Sequence, residues 1–300
     1  MPIRDAIPMA KETWAEFQRH NAQWLAAALA YFTTFAIAPL IIVLVEIAGA
    51  FLGGHQQALN QVFHYLKQDA GPGAGAVQTI VQATFSQKRS GTIAQIIGWI
   101  VFAVAAIGLF NALQFALNTI WDVKPQRQGI WAAIYSRWSA FLAILGVALL
   151  LFLSIALNAG LTMMSAALTH VFPGFATLMK VVDFIVSFGV LWAAFAFLYE
   201  YLPECRIEWR DVWIGSAISS FLFVVGQFLL GWYLGRAGIS SGYGAFGSLV
   251  VFLIWVNYSA QIMLFGAEFT HVFAQRHGSK AARVTKGEIA GGYPAARSGS

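Results

Sequence analysis

Apolar residues run almost without interruption through six stretches of the chain, at about 22–52, 92–120, 138–169, 181–201, 212–234 and 246–273. A helix needs roughly 20 apolar residues to cross a hydrocarbon layer of about 30 Å, and each stretch is long enough. As buried helices of a soluble protein they would need an amphipathic layer to cover them, and the pattern leaves none. The predicted fold class is therefore all-α, an integral membrane bundle of about six transmembrane helices spanning residues 22–275.

The segments between the runs carry patterns of their own. In residues 1–21, Trp14 and Phe17 together with Trp24 share the apolar side of a short helix whose other side bears Lys11, Glu12 and Arg19, which predicts an interfacial helix, a flexible segment being the alternative. The apolar run that follows is too long for a signal-peptide core and reads as a retained anchor. Pro39 lacks the N–H that continues the helical ladder, so a kink is expected near Ala36–Pro39. Between the first two runs, Ala58, Leu59, Val62, Phe63 and Leu66 recur at helical spacing, as do Val77, Ile80, Val81 and Thr84, with the helix breaker Gly71-Pro72-Gly73-Ala74-Gly75 between them. This predicts an amphipathic helical hairpin at about 55–88 on the outer side. Residues 276–300, rich in Gly, Ala, Ser, Lys and Arg, read as a disordered basic tail.

Composition agrees with the pattern and charge orients it. Hydrophobic residues make up 59% of the 300 residues and charged residues 10%, too little charge for a soluble surface. The net charge of +5 would fit nucleic acid, yet its basic residues are spread over inter-helix loops and the tail. Thirteen Lys and Arg fall on the side of the two termini and five on the other, which predicts both termini in the cytoplasm. A lone cysteine, Cys205, excludes an intrachain disulfide and a cysteine-rich zinc site.

Candidate chemistry lies on polar stripes along the runs. Asn111, Gln114 and Asn118 share one helix face, as do Ser154, Asn158, Thr162 and Ser165; Ser216, Ser220 and Gln227 belong to the fifth run, and Asn257, Gln261 and Glu268 to the sixth. Facing lipid, these groups would lack partners, so the stripes turn inward. They either join helices by hydrogen bonds worth about 0.6 kcal/mol each or line a polar groove. Three acids, Glu46, Asp183 and Glu268, fall within runs, where a carboxyl costs about 2.5 kcal/mol or more, and each is a candidate proton carrier. Glu268 is expected to meet Asn118 or a basic group such as Arg137 or Arg210.

No catalytic signature accompanies them. The histidines, His20, His55, His64, His170, His271 and His277, show no metal-ligand spacing with carboxylates, and no phosphate-binding loop for ATP is present. Gly242-Tyr243-Gly244-Ala245-Phe246-Gly247 matches a G-x-G-x-x-G string but follows no strand, so it reads as a glycine-rich entry into the sixth helix. No cofactor, metal or nucleic-acid partner is expected.

Several strings resemble the YihY/BrkB family of bacterial inner-membrane proteins, some of whose members carry the old label ribonuclease BN. They are Ala27–Thr34 (with Tyr31) and Ala38-Pro39-Leu40; Ser90-Gly91-Thr92; Leu117–Trp121; Leu202-Pro203 followed by Trp209-Arg210; and Tyr243–Leu249 (with Gly244 and Gly247), running to Leu264-Phe265-Gly266-Ala267-Glu268. The first departs from the commoner Tyr-Tyr-Thr form by having Phe32. The resemblance implies a six-helix inner-membrane protein connected by name with virulence and, in some accounts, with envelope lipids. The expected function is a transporter or flippase-like carrier of a lipid or other amphipathic envelope molecule. The alternatives are a non-transporting scaffold for envelope machinery and, disfavoured by the missing metal constellation, a tRNA-processing nuclease. Membrane lipids are the expected partners, and the sequence leaves the oligomeric state open.

Overall fold

The computed structural model describes residues 6–52, 54, 57, 59–60, 92–123, 175–205, 207–237 and 247–276. The run at 138–169 with Ser154, Asn158, Thr162 and Ser165, most of the expected hairpin at 55–88, Tyr243 and Gly244, and the tail beyond 276 lie outside them. So do the side chains of Pro39 and Glu46.

Secondary structure among the described residues is helical, with no strand: α1 (Ala6–Arg19), α2 (Ala22–Leu52), α3 (Thr92–Ile120), α4 (Phe175–Tyr201), α5 (Trp209–Ala237) and α6 (Gly247–Arg276). Val181–Tyr201, Trp209–Tyr233 and Leu249–Arg276 are long and apolar enough to cross a membrane, and Ala22–Ile37 and Val104–Ile120 are shorter apolar helices. Their outward faces are as apolar as their packed ones. Phe221, Val225, Phe228, Leu229 and Trp232 stand exposed down one side of α5, and Val181, Phe184 and Ile185 down α4. Only lipid satisfies such faces, because water would leave large contiguous apolar patches uncovered. The protein is a multi-pass helical membrane bundle.

Among the described residues, those up to His20, from Leu117 to Ser220 and from Phe265 onward form one compact unit, and Asn21–Ala116 with Phe221–Leu264 form another. In the second unit, Gly108 lies under the Phe32 ring and Gly226 lies against Ile262 and Tyr258. Each lets a large side chain pack on bare backbone, the usual means of bringing helices together in lipid, where the hydrophobic effect is absent.

The first unit uses the same device with a reciprocal register. A Cβ on Gly215 of α5 would collide with Thr270 of α6, and one on Gly266 of α6 would collide with Ser219 of α5. Gly215 and Ser219 are four residues apart, as are Gly266 and Thr270, so the two small-residue pairs meet in antiparallel order. Each hydroxyl donates to the carbonyl four residues back on its own helix, Ser219 Oγ to Gly215 O at 2.8 Å and Thr270 Oγ1 to Gly266 O at 2.7 Å. The buried hydroxyls are thereby satisfied within their own helices, and close approach holds the helices together. Tyr199 of α4 joins them, donating its phenol proton to Ser219 Oγ at 2.9 Å.

At one end of α4 and α5 the tryptophans gather. The Trp192 indole N–H donates to Trp213 O at 2.9 Å with the rings 4.9 Å apart, and Trp209 and Tyr201 extend the cluster, both partly exposed. Amphipathic rings of this kind sit at headgroup level in a bilayer.

Candidate functional site

The site is assembled from the ends of two helices, α1 and α3, and one residue inside a third, α6. α1 buries Met9, Thr13 and Phe17 at a spacing of four, and His20 continues the stripe three residues later. Met9 packs on Val272 and Phe273 of α6, with Ile214 and Phe269 beside them, and Phe17 meets the Phe265 ring edge-on at 5.9 Å. An ion pair between Glu12 and Arg276 closes the rim. Thr13 donates to Met9 O at 2.9 Å, so the one polar residue inside the stripe is satisfied locally. Trp14 and Trp24 lie outside this packed stripe, exposed at 54% and 76%. The packed stripe is set by the smaller Met9 and Thr13, which fit against α6.

The second component is the C-terminus of α3. Asp122 N donates to Thr119 O and Val123 N to Asn118 O, at 3.1 and 2.9 Å, the paired bonds of a Schellman stop. The residue in the left-handed position of that stop is Asp122, with φ of 51°. Glycine is the usual occupant, and a Cβ there carries a strain of about 1 kcal/mol or more. The carboxylate kept at that cost bonds Arg19, Oδ2 lying 3.1 Å from the guanidinium, and approaches His20 Nε2 with Oδ1 at 3.4 Å. Asn21, beside His20, has the same φ of 51° and accepts the first hydrogen bond of α2 through its carbonyl, from Trp24 N at 2.9 Å.

The third is Glu268 of α6. Its side chain is fully buried, and Oε1 lies 2.6 Å from His20 Nδ1. Oε2 is equally buried and meets no hydrogen-bond donor among the described residues. His20 thus bridges two carboxylates through opposite ring nitrogens, one deep within a membrane-crossing helix and one a quarter exposed. Burial opposes charge on the His20 imidazole, but the hydrogen bond and charge of Glu268, reinforced by Asp122 and weakened by Arg19, hold its titration above the usual histidine value. Burial likewise works against the Asp122 anion, and the Arg19 guanidinium outweighs it, lowering that carboxyl below its ordinary range. The carboxylates face different ring nitrogens, and among the described residues no three His, Cys, Asp or Glu side chains converge as metal ligands.

Glu268 points inward, as its shared face with Asn257 and Gln261 predicted, but its partner is His20 rather than Asn118 or Arg210; Arg137 lies outside the described residues. Asn118 has another task, its Oδ1 accepting the backbone N–H of Glu204 at 2.8 Å and so fixing the turn after α4. Ser216 and Ser220 are fully buried and donate to Val212 O and Ser216 O, so they offer no free hydroxyl to a groove. The remaining stripe residues stay accessible: Asn111 is exposed, and Gln114, Gln227, Asn257 and Gln261 are half-buried, the last two joined at 2.6 Å. Asp183 is half-buried on α4.

Of the resemblance-bearing residues, Tyr31 is exposed beside Phe32 and Phe35, Trp121 is buried against the His271 ring, Pro203 is buried after α4, Gly247 opens α6 and Gly266 takes the contact with Ser219 and Tyr199. Sequence reasoning passed over His20 and Asp122. The 9–13–17–20 spacing carried a signal for the first; nothing marks an aspartate in a glycine position.

The model of the family described as Virulence factor BrkB matches residues 13–288. The chain is 29% identical to a UPF0761 membrane protein of Teredinibacter turnerae, over 93% of this chain and 63% of the relative. A UPF0761 membrane protein of Pseudomonas aeruginosa is 31% identical over 88% of this chain and 62% of the relative, and one of Legionella pneumophila 29% identical over 87% and 60%. The chain thus spans about three fifths of the length of these curated relatives. No solved structure matches it.

Proposed function

The chain belongs to the Virulence factor BrkB family of membrane proteins, and from that premise we propose that it is a transporter or flippase-like carrier of a lipid or other amphipathic envelope molecule. In this reading it sits in the bacterial inner membrane with both termini in the cytoplasm, and it works by moving its substrate rather than by catalysing a reaction on it.

One observation carries the reading. Asn111, Gln114, Asn257 and Gln261, all in the second unit, remain open on helices whose other faces are apolar. A scaffold of closely packed helices would seal such amides, as Ser216 and Ser220 are sealed. Amides that stay accessible on otherwise apolar helices fit a surface that meets water or a headgroup better than one that meets acyl chains alone. Polar contacts for a headgroup beside apolar faces for acyl chains suit an amphipathic cargo.

The test is reconstitution of the full chain into liposomes containing headgroup-labelled fluorescent lipids, with an added reductant bleaching the label in the outer leaflet. Translocation that is lost when Asn257 and Gln261 are both replaced by leucine is the expected result. An absence of translocation across a broad lipid panel, together with no lipid retained through purification, would reject the carrier reading.

A further inference from the structure

Glu268 is fully buried, and its hydrogen bond among the described residues is to His20. The groups that face the imidazole among the described residues are Glu268 of α6, Asp122 at the end of α3 and Arg19 of α1, with Glu16 of α1 bonded to Arg19 at 2.6 Å and acting on Glu268 through its charge. Exposure rises outward along this line: the Glu268 side chain is 0% exposed, His20 5%, Asp122 25% and Arg19 50%. An ionised Glu268 would leave Oε2 bare in a medium that penalises an unpaired charge, whereas a carboxylic acid donating through Oε1 to Nδ1 leaves there only a neutral oxygen. The two protonation states of Glu268 are therefore both compatible with the same short contact, and the ring between them has a nitrogen for each neighbour.

We propose that His20 is the proton gate of Glu268, a protonation site inside the bundle that exchanges with water through the imidazole and Asp122. What the proton drives rests on the carrier reading; the site itself does not.

The exchange balances. With Glu268 ionised, a neutral His20 donates its Nδ1 proton to Oε1 and turns the Nε2 lone pair to Asp122. A proton from water taken up by the Asp122 carboxylate passes to Nε2 while the Nδ1 proton moves to Glu268. The result is a neutral Glu268, a neutral imidazole now carrying its proton on Nε2, and an Asp122 anion again. One proton has left water and one carboxylate charge has left the bundle; the reverse sequence unloads it. Arg19 keeps the Asp122 carboxylate in place at 3.1 Å, and the left-handed turn at Asp122 aims it. The 3.4 Å step to Nε2 is the longest in the line and the natural point of control.

Infrared difference spectra of the full chain in lipid nanodiscs test this. A carboxylic-acid band that comes and goes with pH and disappears in Glu268→Gln is expected, and its hydrogen–deuterium exchange should slow at least tenfold in His20→Gln and severalfold in Asp122→Asn. Asp122→Asn keeps the site's shape at a partly exposed position, so it reports on the relay even if His20→Gln fails to fold. A band that is missing at all pH values, or that exchanges as fast in Asp122→Asn as in the parent, overturns the proposal. In liposomes the two readings separate. Translocation that ignores a pH gradient refutes proton drive while leaving the carrier intact. A titrating band without translocation upholds the gate and rejects the carrier.

Discussion

Replacing Gly266 by alanine attacks the reciprocal crossing of α5 and α6 at its tightest point. The new methyl would overlap Ser219 Oγ and stand 2.6 Å from Ser219 Cβ and 2.8 Å from the Tyr199 hydroxyl, all fully buried. Carbon atoms pack at about 3.5–4.0 Å, so the helices must part by roughly 1 Å. Rotating the serine hydroxyl gives no relief, because its Cβ clashes as well. Overpacking of this kind costs about 1–3 kcal/mol. Losing the Tyr199–Ser219 bond adds about 0.6–1.7 kcal/mol, the range for hydrogen bonds between membrane helices. Alanine's better helix propensity returns up to about 1 kcal/mol. The net expectation is a loss of about 2 kcal/mol, read from unfolding titrations with dodecyl sulfate in mixed micelles followed by circular dichroism. Ser219→Gly removes the atoms that clash, so the double variant should be more stable than the sum of the single effects predicts, by about 1 kcal/mol or more. A Gly266→Ala protein within about 0.5 kcal/mol of the parent, or single effects that simply add, would refute the close-contact account.

Three further outcomes follow from the buried pair and its neighbours. Glu268→Ala strands His20 beside an empty volume and should cost about 3–5 kcal/mol, whereas Glu268→Gln keeps shape and a hydrogen bond; equal losses in thermal melts would contradict the pairing. His20 titrates above its unfolded value, so its contribution is complete below about pH 6.5 and is lost as pH rises through the raised value. Stability in detergent should accordingly fall across that window and flatten in His20→Gln, and a parent whose stability holds level or climbs there would disprove it. Asp122→Gly relieves the left-handed strain and should leave melting unchanged or higher by about 1 kcal/mol on the backbone side while slowing proton exchange at Glu268; a sharp drop in stability would mean that the Arg19 contact outweighs the strain.

The helices were legible because the solvent dictates them. A bilayer demands an unbroken apolar run for each crossing, and the runs at 22–52 and 92–120 have the same ends as α2 and α3. α4 begins at Phe175, before the apolar run at 181, because a helix can continue past the hydrocarbon edge without an apolar sequence to mark it. The inward orientation of Glu268 followed from one helix face. Its partner did not, because His20 lies 248 residues away and the rotation of α1 is decided by which side chains fit against α6, a question of volume that favours Met9 over Trp14. The contact of Asn118 was hidden for a related reason: nothing along the chain shows that its side-chain oxygen accepts the backbone N–H of Glu204, 86 residues on.

The 248-residue separation between His20 and Glu268 also fixes an order of events at the ribosome. His20 is synthesised before any of the described membrane-crossing helices and Glu268 in the last of them, so for most of the time the chain is being made the Nδ1 side of the imidazole lacks its buried partner. Glu268 then enters the membrane as the costliest residue of its helix and finds relief only if the first helix is still at hand. A nascent chain that has lost α1, or stopped before α6, would carry an orphan in the lipid or at its edge, the kind of defect that membrane proteases recognise. The pair therefore reports that α1 and α6 have met, and an amino-terminal truncation through residue 20 should be cleared from the cell faster than the loss of a short surface helix would explain.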